Sequence, residues 1–460
     1  MSESNGRFGY WKDAAKGALI GAGVLALIIG GFSISGANLP TNNGANNTPA
    51  ASGSSSASPS PSSSSARTCS VATQAADTKL GNLSAVVIDA KTNEVLFDRN
   101  ASVPAATAST MKTLTAAAAL LSLGPNYRVE TRVYQDPTNP GTIILVGAGD
   151  PTLSRTAIGK QSVYRDAPKL STLALNVNKK MGSTPITNII LDSTLFAGPT
   201  WEPSWERSEQ TQGYMSEVTA LQVDGDRLNP AAETSQRTTT PVQNAGKWFK
   251  QALGASAATA TVTVGTMPSG ATQLTSVSSQ PISKWITHMM QVSDNTEAEF
   301  LARLVSLDQG FDGSFSSINA AFKSALKPSN LDATGVVIKD GSGLSDFNAV
   351  SPNYMAQLYK LIYEAQGVYS TIKQSLPVSG ESGSLASRFK GDNLDATGHI
   401  YAKTGWIKHG YTLAGIIEAK DGTSMVFAVY ALGNVSDATK TAIDNLVTGF
   451  YRCGATLSNE

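Results

Sequence analysis

The chain has 460 residues, with 35 Lys and Arg against 35 Asp and Glu, so its formal net charge is zero. That balance, without any run of Lys and Arg, argues against a nucleic-acid partner gripped through its phosphates. Three histidines (His288, His399, His409) and two cysteines leave little for a transition-metal site, neither H-E-x-x-H nor C-x-x-C occurs, and no metal or other cofactor is expected.

Residues 1–16 carry Arg7, Lys12 and Lys16 and read as a cytoplasmic tail, because positive charge before an apolar span stays inside. Residues 17–39 carry no charge, and about 20 apolar residues cross a bilayer. They read as a transmembrane anchor or, with Ser35 and Ala37 at a candidate processing site, as a cleaved signal segment. Either reading exports the chain beyond residue 39, giving a single-pass membrane or secreted protein. Residues 40–67 are a Ser/Pro-rich linker, too polar to offset chain entropy by burial. Cys69 and Cys453 flank the remainder and are a candidate disulfide in an oxidising compartment. Closing so long a loop stabilises by about 4–5 kcal/mol in the chain-entropy model.

Residues 68–135 open the globular part. An apolar β-branched run over 83–89, turn residues at 91–93 and a second run over 94–97 predict two strands. Residues 109–123 are rich in Ala and Leu and predict a buried helix. Ser109 begins it and Lys112 lies one turn on, on the same face. A helix N-terminus also favours negative charge developing at the serine. The S-x-x-K spacing recurs at 324–327, 370–373 and 387–390, where it reads as ordinary surface. Residues 136–279 hold short β-like runs at 142–146, 186–191 and 259–264 between Pro, Gly, Ser and Thr, and read as one inserted, mostly-β domain. Residues 280–460 return to the first domain. Helical patterns cover 281–290 and 297–305, with Ser293-Asp294-Asn295 between them. Strands are expected over 394–417 and 423–432, with Lys403-Thr404-Gly405 on the first, then a helix over 436–452. A sheet opposed by a buried helical cluster carrying the serine is an α+β plan.

Ser109-Thr110-Met111-Lys112, Ser293-Asp294-Asn295 and Lys403-Thr404-Gly405 stand in the order S-x-x-K, S-D-N, K-T-G, a set found in penicillin-binding proteins and class A β-lactamases. Further strings agree: Gly147-Ala148-Gly149-Asp150-Pro151-Thr152-Leu153, Asp340-Gly341-Ser342-Gly343-Leu344-Ser345, Ala298-Glu299 after Asn295, and 377–389 with Gly380, Gly383-Ser384-Leu385 and Arg388-Phe389. Over about 75–455 the chain resembles the D-alanyl-D-alanine carboxypeptidase/endopeptidase family, the class C low-molecular-mass penicillin-binding proteins (S13-like peptidases). The resemblance implies the serine β-lactamase/penicillin-binding-protein-like transpeptidase fold. It implies a D-Ala-D-Ala carboxypeptidase, and an endopeptidase on cross-links, with peptidoglycan stem peptide as substrate and β-lactams as inhibitors. The family usually has Ser or Thr after K-T-G, where this chain has Trp406.

The expected roles rest on the chemistry. Ser109 is the nucleophile, and an alcohol needs a base near neutral pH. Lys112 serves if neutral, and burial with Lys403 as a second cation lowers its pKa. Ser293 relays a proton, Asn295 fixes the substrate backbone, and Asp294 caps the next helix. Thr404 and Gly405 let the terminal carboxylate approach the strand, and the backbone N–H groups of Ser109 and Trp406 form the oxyanion hole. The 340–345 string reads as a structural turn. A β-lactamase needs a deacylating glutamate, and no E-x-x-L-N comes after Ser293. The other alternative is a weakly active or non-catalytic penicillin-binding sensor or wall-binding protein, which Trp406 keeps open.

Overall fold

The computed structural model describes residues 66–459. The expected tail and the anchor or signal segment at 17–39 lie outside the described residues, as does most of the linker. No helix among the described residues is long and apolar enough to cross a membrane.

After a short helix at Ala72–Ala75 the chain forms β1 (Asn82–Asp89), β2 (Val95–Arg99) and α1 (Met111–Leu123). Then come β3 (Glu130–Gln135), β4 (Thr142–Val146), α2 (Leu170–Met181), β5 (Asn188–Asp192), α3 (Pro241–Leu253), β6 (Thr261–Val264) and β7 (Thr272–Ser278). Four longer helices are next, α4 (Ile282–Val292), α5 (Asn295–Asp308), α6 (Phe315–Ala325) and α7 (Pro352–Glu364), and then a short helix at Tyr369–Ser375. The chain closes with β8 (Ile400–Ile407), β9 (Gly410–Glu418), β10 (Ser424–Leu432) and α8 (Asp437–Cys453).

One sheet has the order β2-β1-β10-β9-β8 and is antiparallel throughout. Its strands alternate sides, as a pleat requires. Val86 and Ile88 of β1, with Ala414, Ile416, Val426 and Ala428, face a helical cluster that includes α1, α4, α5, α6 and α7. Ala85 and Val87, with Leu413, Ile417, Phe427 and Val429, face α8 through Ile443, Leu446, Val447 and Phe450. Helices on both sides explain why β9 and β10 are buried at eight of their nine positions. The Cys69–Cys453 disulfide, with a Cα–Cα distance of 5.4 Å, joins the start of the described chain to the end of α8.

The second sheet has the order β6-β5-β4-β3-β7 and is mixed, with β4-β5 and β5-β6 parallel. Two expectations change here. The intervening segment is α/β rather than mostly β, because α2 and α3 pack on this sheet. Leu170, Leu173, Ala174, Val177 and Met181 keep helical spacing and are buried, though Ser, Thr and Asn between them mask the pattern. Pro241 sits in the first turn of α3, where its missing N–H costs nothing. Second, β3 joins this sheet, so the segment begins at 130 rather than 136. The expected long strand over 394–417 is two strands, β8 and β9, paired from Ile400↔Ile417 to Ile407↔Gly410 around a turn at Lys408 and His409.

Candidate active site

A tight turn over Ala108–Thr110 leads into α1 and sets Ser109 at the helix start. Lys112 lies one turn on and is fully buried among Ala and Leu. Its Nζ lies 2.8 Å from Ser109 Oγ, 2.6 Å from Asn295 Oδ1 and 2.7 Å from the Ser342 carbonyl. By contrast, Lys327 and Lys390 of two other S-x-x-K strings are exposed.

Ser293 ends α4 in the left-handed region (φ 65°), and Asp294 opens α5 by accepting the Glu297 N–H at 2.9 Å. That corner turns Asn295 toward Lys112 and Ser293 toward β8. There Lys403, also fully buried, donates to Ser293 Oγ and to the Thr404 carbonyl, both at 2.8 Å. Thr404 donates to Ser384 Oγ at 2.8 Å. Gly405 makes the approach of β8 possible: a Cβ there would lie 2.8 Å from Ser109 N and 2.1 Å from Thr412 Oγ1. Ser109, Ser293, Asn295, Thr404, Gly405 and Trp406 line one cleft of about 440 Å³. The structure therefore brings together all the residues that the three strings nominated.

Burial lowers Lys112 to about 8, against the opposing pull of the Glu299, Asp340 and Asp294 carboxylates. Burial and the neighbouring Lys112 hold Lys403 well below its ordinary value. The sequence ascribes part of the Lys112 shift to Lys403; in the structure burial dominates it, and the repulsion falls on Lys403. Glu299 is itself fully buried, accepts the Gly341 and Ser342 N–H groups at 3.1 and 2.7 Å, and is pushed up to about 8 by burial. Asp340 organises the 340–345 turn by accepting Gly343 N, Ser345 N and Asn348 Nδ2 at 2.7–2.8 Å, and Trp205 Nε1 at 2.8 Å. The turn is structural, as its glycines suggest, and it also supplies the Ser342 carbonyl to Lys112.

The sequence does not assign roles to Ser342, Ser384, Glu299, Tyr214 or Arg227. The first three stand in strings already singled out. Tyr214, whose carbonyl takes Asn295 Nδ2 at 3.1 Å, and Arg227, ion-paired to Asp294, give no local signal. His288, 2.7 Å from Glu297 and 3.2 Å from Glu233, is raised to about 11: burial lowers it, but the two carboxylates prevail. Glu233, His288 and Asp294 converge within 4.8 Å, and the Arg227 guanidinium already serves as the cation there. Trp406 is 50% exposed, at the cleft rim near Tyr411 (ring centroids 6.4 Å apart), so an aromatic wall stands where the resemblance implies a hydroxyl.

A buried lysine on one serine and a second buried lysine on another are what a lysine-activated acyl transfer requires. The family model for D-Ala-D-Ala carboxypeptidase 3 (S13) matches residues 68–238 and 230–451. The chain belongs to that family. It is 35% identical over 393 residues to a carboxypeptidase of Mycobacterium tuberculosis, covering 85% of this chain and 84% of the relative. It is 26% identical over 435 residues to the D-alanyl-D-alanine carboxypeptidase of Actinomadura sp. (strain R39), covering 77% and 78%. Its fold matches penicillin-binding protein 4 of Haemophilus influenzae with a TM-score of 0.69 at 21% identity, over 81% of this chain and 96% of that one. Membership in the S13 family makes the chain a serine-type D-Ala-D-Ala carboxypeptidase.

Proposed function

We propose that the enzyme cleaves the terminal D-Ala-D-Ala bond of peptidoglycan stem peptides through a Ser109 acyl-enzyme. The observation that carries this is the buried Lys112 Nζ poised 2.8 Å from Ser109 Oγ. As the neutral amine, Lys112 has a lone pair to take the Ser109 proton while its two N–H bonds point at Asn295 Oδ1 and the Ser342 carbonyl. Ser109 Oγ bonds the carbonyl carbon, and the oxyanion faces the Ser109 and Trp406 N–H groups. The C–N bond then breaks and D-alanine leaves with the proton that Lys112 took, relayed through the Ser293 hydroxyl that Lys403 holds; Lys112, neutral again, takes a proton from the attacking water and hands it to Ser109 Oγ as the ester is hydrolysed. Thr404 and the Gly405 backbone receive the terminal carboxylate.

A β-lactam presents the same carbonyl, and the Haemophilus influenzae protein is described in complex with one. Acylation of Ser109 by β-lactams is expected from the same geometry. The uncharged 17–39 segment and the Cys69–Cys453 disulfide support an exported, membrane-tethered enzyme of the cell envelope. Cleavage of D-alanyl cross-links is the same chemistry on a larger leaving group.

The test is D-alanine release from a stem pentapeptide by the wild type and by Ser109→Ala, with intact mass after penicillin treatment. Release and one penicilloyl adduct in the wild type, both lost in S109A, are expected. Activity surviving S109A would refute the site. A folded wild type that takes the adduct yet releases no D-alanine would favour the sensor reading, with Trp406 as the block.

A further inference from the structure

The Asp224–Asp226 turn of the intervening segment is strained. Asp224 (φ 53°), Gly225 (φ 56°) and Asp226 (φ 55°) stand consecutively in the left-handed region. Non-glycine residues seldom enter it, and runs of them are held only where the surroundings over-determine the backbone. Here they are. Asp224 N and Gly225 N each donate, at 2.7 Å, to the Leu153 and Pro151 carbonyls of the 147–153 string. Asp224 takes an ion pair from Arg155 at 2.9 Å, and Asp226 accepts from Thr238 N, Thr238 Oγ1 and Asn244 Nδ2. A string that the reaction leaves unexplained is thus the seat of this turn.

What the turn delivers is Arg227, 3% exposed, pointing at the S-D-N corner. Its NH2 reaches Asp294 Oδ2 at 2.5 Å, its NH1 donates to Tyr164 Oη at 2.6 Å, and its guanidinium lies 4.8 Å from the Tyr164 ring centroid. Space is tight enough that a Cβ on Gly225 would come within 2.7 Å of Arg227 NH1. Asp294 is flanked by Ser293, itself left-handed, and by Asn295, whose amide also leans on the Tyr214 carbonyl at 3.1 Å. The intervening segment therefore grips the corner at two points.

We propose that Arg227 is a positioning residue for acylation, fixing Asp294 and through it the Ser293 hydroxyl and the Asn295 amide against Lys403 and Lys112. The proposal rests on the functional reading above. A strained backbone and a buried guanidinium aimed at one carboxylate make little sense as cleft wall alone. The charged groups around Asp294 are Arg227, His288, Arg237 and Glu297, and those around Lys112 are Glu299, Asp340, Asp294 and Lys403. With Arg227 gone, His288 keeps Asp294 ionised, and its charge acts on Lys112 without the guanidinium beside it.

The test uses the full-length chain and a fluorescent penicillin, with folding checked by thermal unfolding. In folded Arg227→Gln the acylation rate constant is expected to fall about 100-fold, as for a group displaced by about 1 Å, with half-saturation unchanged. The rising limb of its pH profile should move to higher pH. Arg227→Lys keeps the charge but not the fork, and should restore the limb while losing on the order of 10-fold in rate. A folded R227Q with the wild-type rate and profile overturns the proposal. If R227Q does not fold, R227K decides: a wild-type rate there overturns it and the 10-fold loss upholds it. Wild-type protein that is never acylated would refute the functional reading itself, which keeps the two failures apart.

Discussion

Gly405→Ala adds one carbon where β8 meets the start of α1. That carbon would lie 2.1 Å from Thr412 Oγ1, 2.8 Å from Ser109 N and 2.9 Å from Ala108 Cβ. Thr412 has little room to turn, because it is 1% exposed and donates to the Thr107 carbonyl at 2.8 Å. Ordinary contact begins near 3.4 Å, so β8 and the Ser109 turn must part by roughly half an ångström, and Thr412 Oγ1 on β9 must yield by more than one ångström. Overpacking of this kind costs about 1–3 kcal/mol of stability, which a sheet of five strands tolerates. Catalysis is less forgiving. The displacement separates Ser109 N from Trp406 N, the proposed oxyanion donors, and moves Lys403 from Ser293. A misplacement of about 1 Å lowers a rate by about 100-fold. Two measurements on the same sample decide it: the thermal midpoint, and the rate of D-alanine release alongside penicillin acylation. A modest fall in midpoint with a fall of about 100-fold in both rates is expected. A folded G405A acylated at the wild-type rate would show that the contact between β8 and Ser109 does not set the reaction geometry.

Three further outcomes are expected. Lys112, lowered to about 8 by burial, accepts a proton only when neutral, so acylation should climb with pH and level off above about 8. Lys112→Met should abolish that rise and about 10³-fold of the rate while leaving the thermal midpoint no lower, since a buried cation is removed; a K112M enzyme that keeps the limb would refute Lys112 as the base. Cys453→Ser should lower stability by up to about 4–5 kcal/mol, since the bond spans 384 residues, yet leave acylation at 25 °C unchanged because neither cysteine lines the cleft; an unaltered thermal midpoint would count against the bond. Trp406→Ser restores a hydroxyl at a half-exposed position, so stability should stay within about 0.5 kcal/mol while kcat/KM for the pentapeptide rises on the order of 10-fold. An unchanged kcat/KM in W406S would mean that the carboxylate is held elsewhere.

The sequence by itself nominated the residues of the proposed chemistry, because each of the three strings is written locally. S-x-x-K on a helix puts the proposed nucleophile and base one turn apart, and K-T-G on a strand places a lysine and a glycine on it. The same locality made β1, α1 and α8 legible: β1 and α1 are nearly unbroken apolar runs, and α8 repeats Ile443, Leu446, Val447 and Phe450 at helical spacing. Other elements were legible only in part. The helices α2 and α3 carry apolar residues at helical spacing among Ser, Thr, Asn, Gln and Lys, so a scan for β-like runs passes over them, and β3 goes to the first domain because only its pairing with β4 and the distant β7 assigns it to the second sheet. Only the tertiary structure could decide how neutral Lys112 is, since burial sets that and the burying residues come from several helices. Only it could show Ser342 offering a carbonyl from 230 positions away, or Arg227 reaching Asp294 across 67. Hydrogen bonds and ion pairs between distant segments leave no periodicity in the chain, so the residues that hold the catalytic strings in place appear only once the backbone has brought them together.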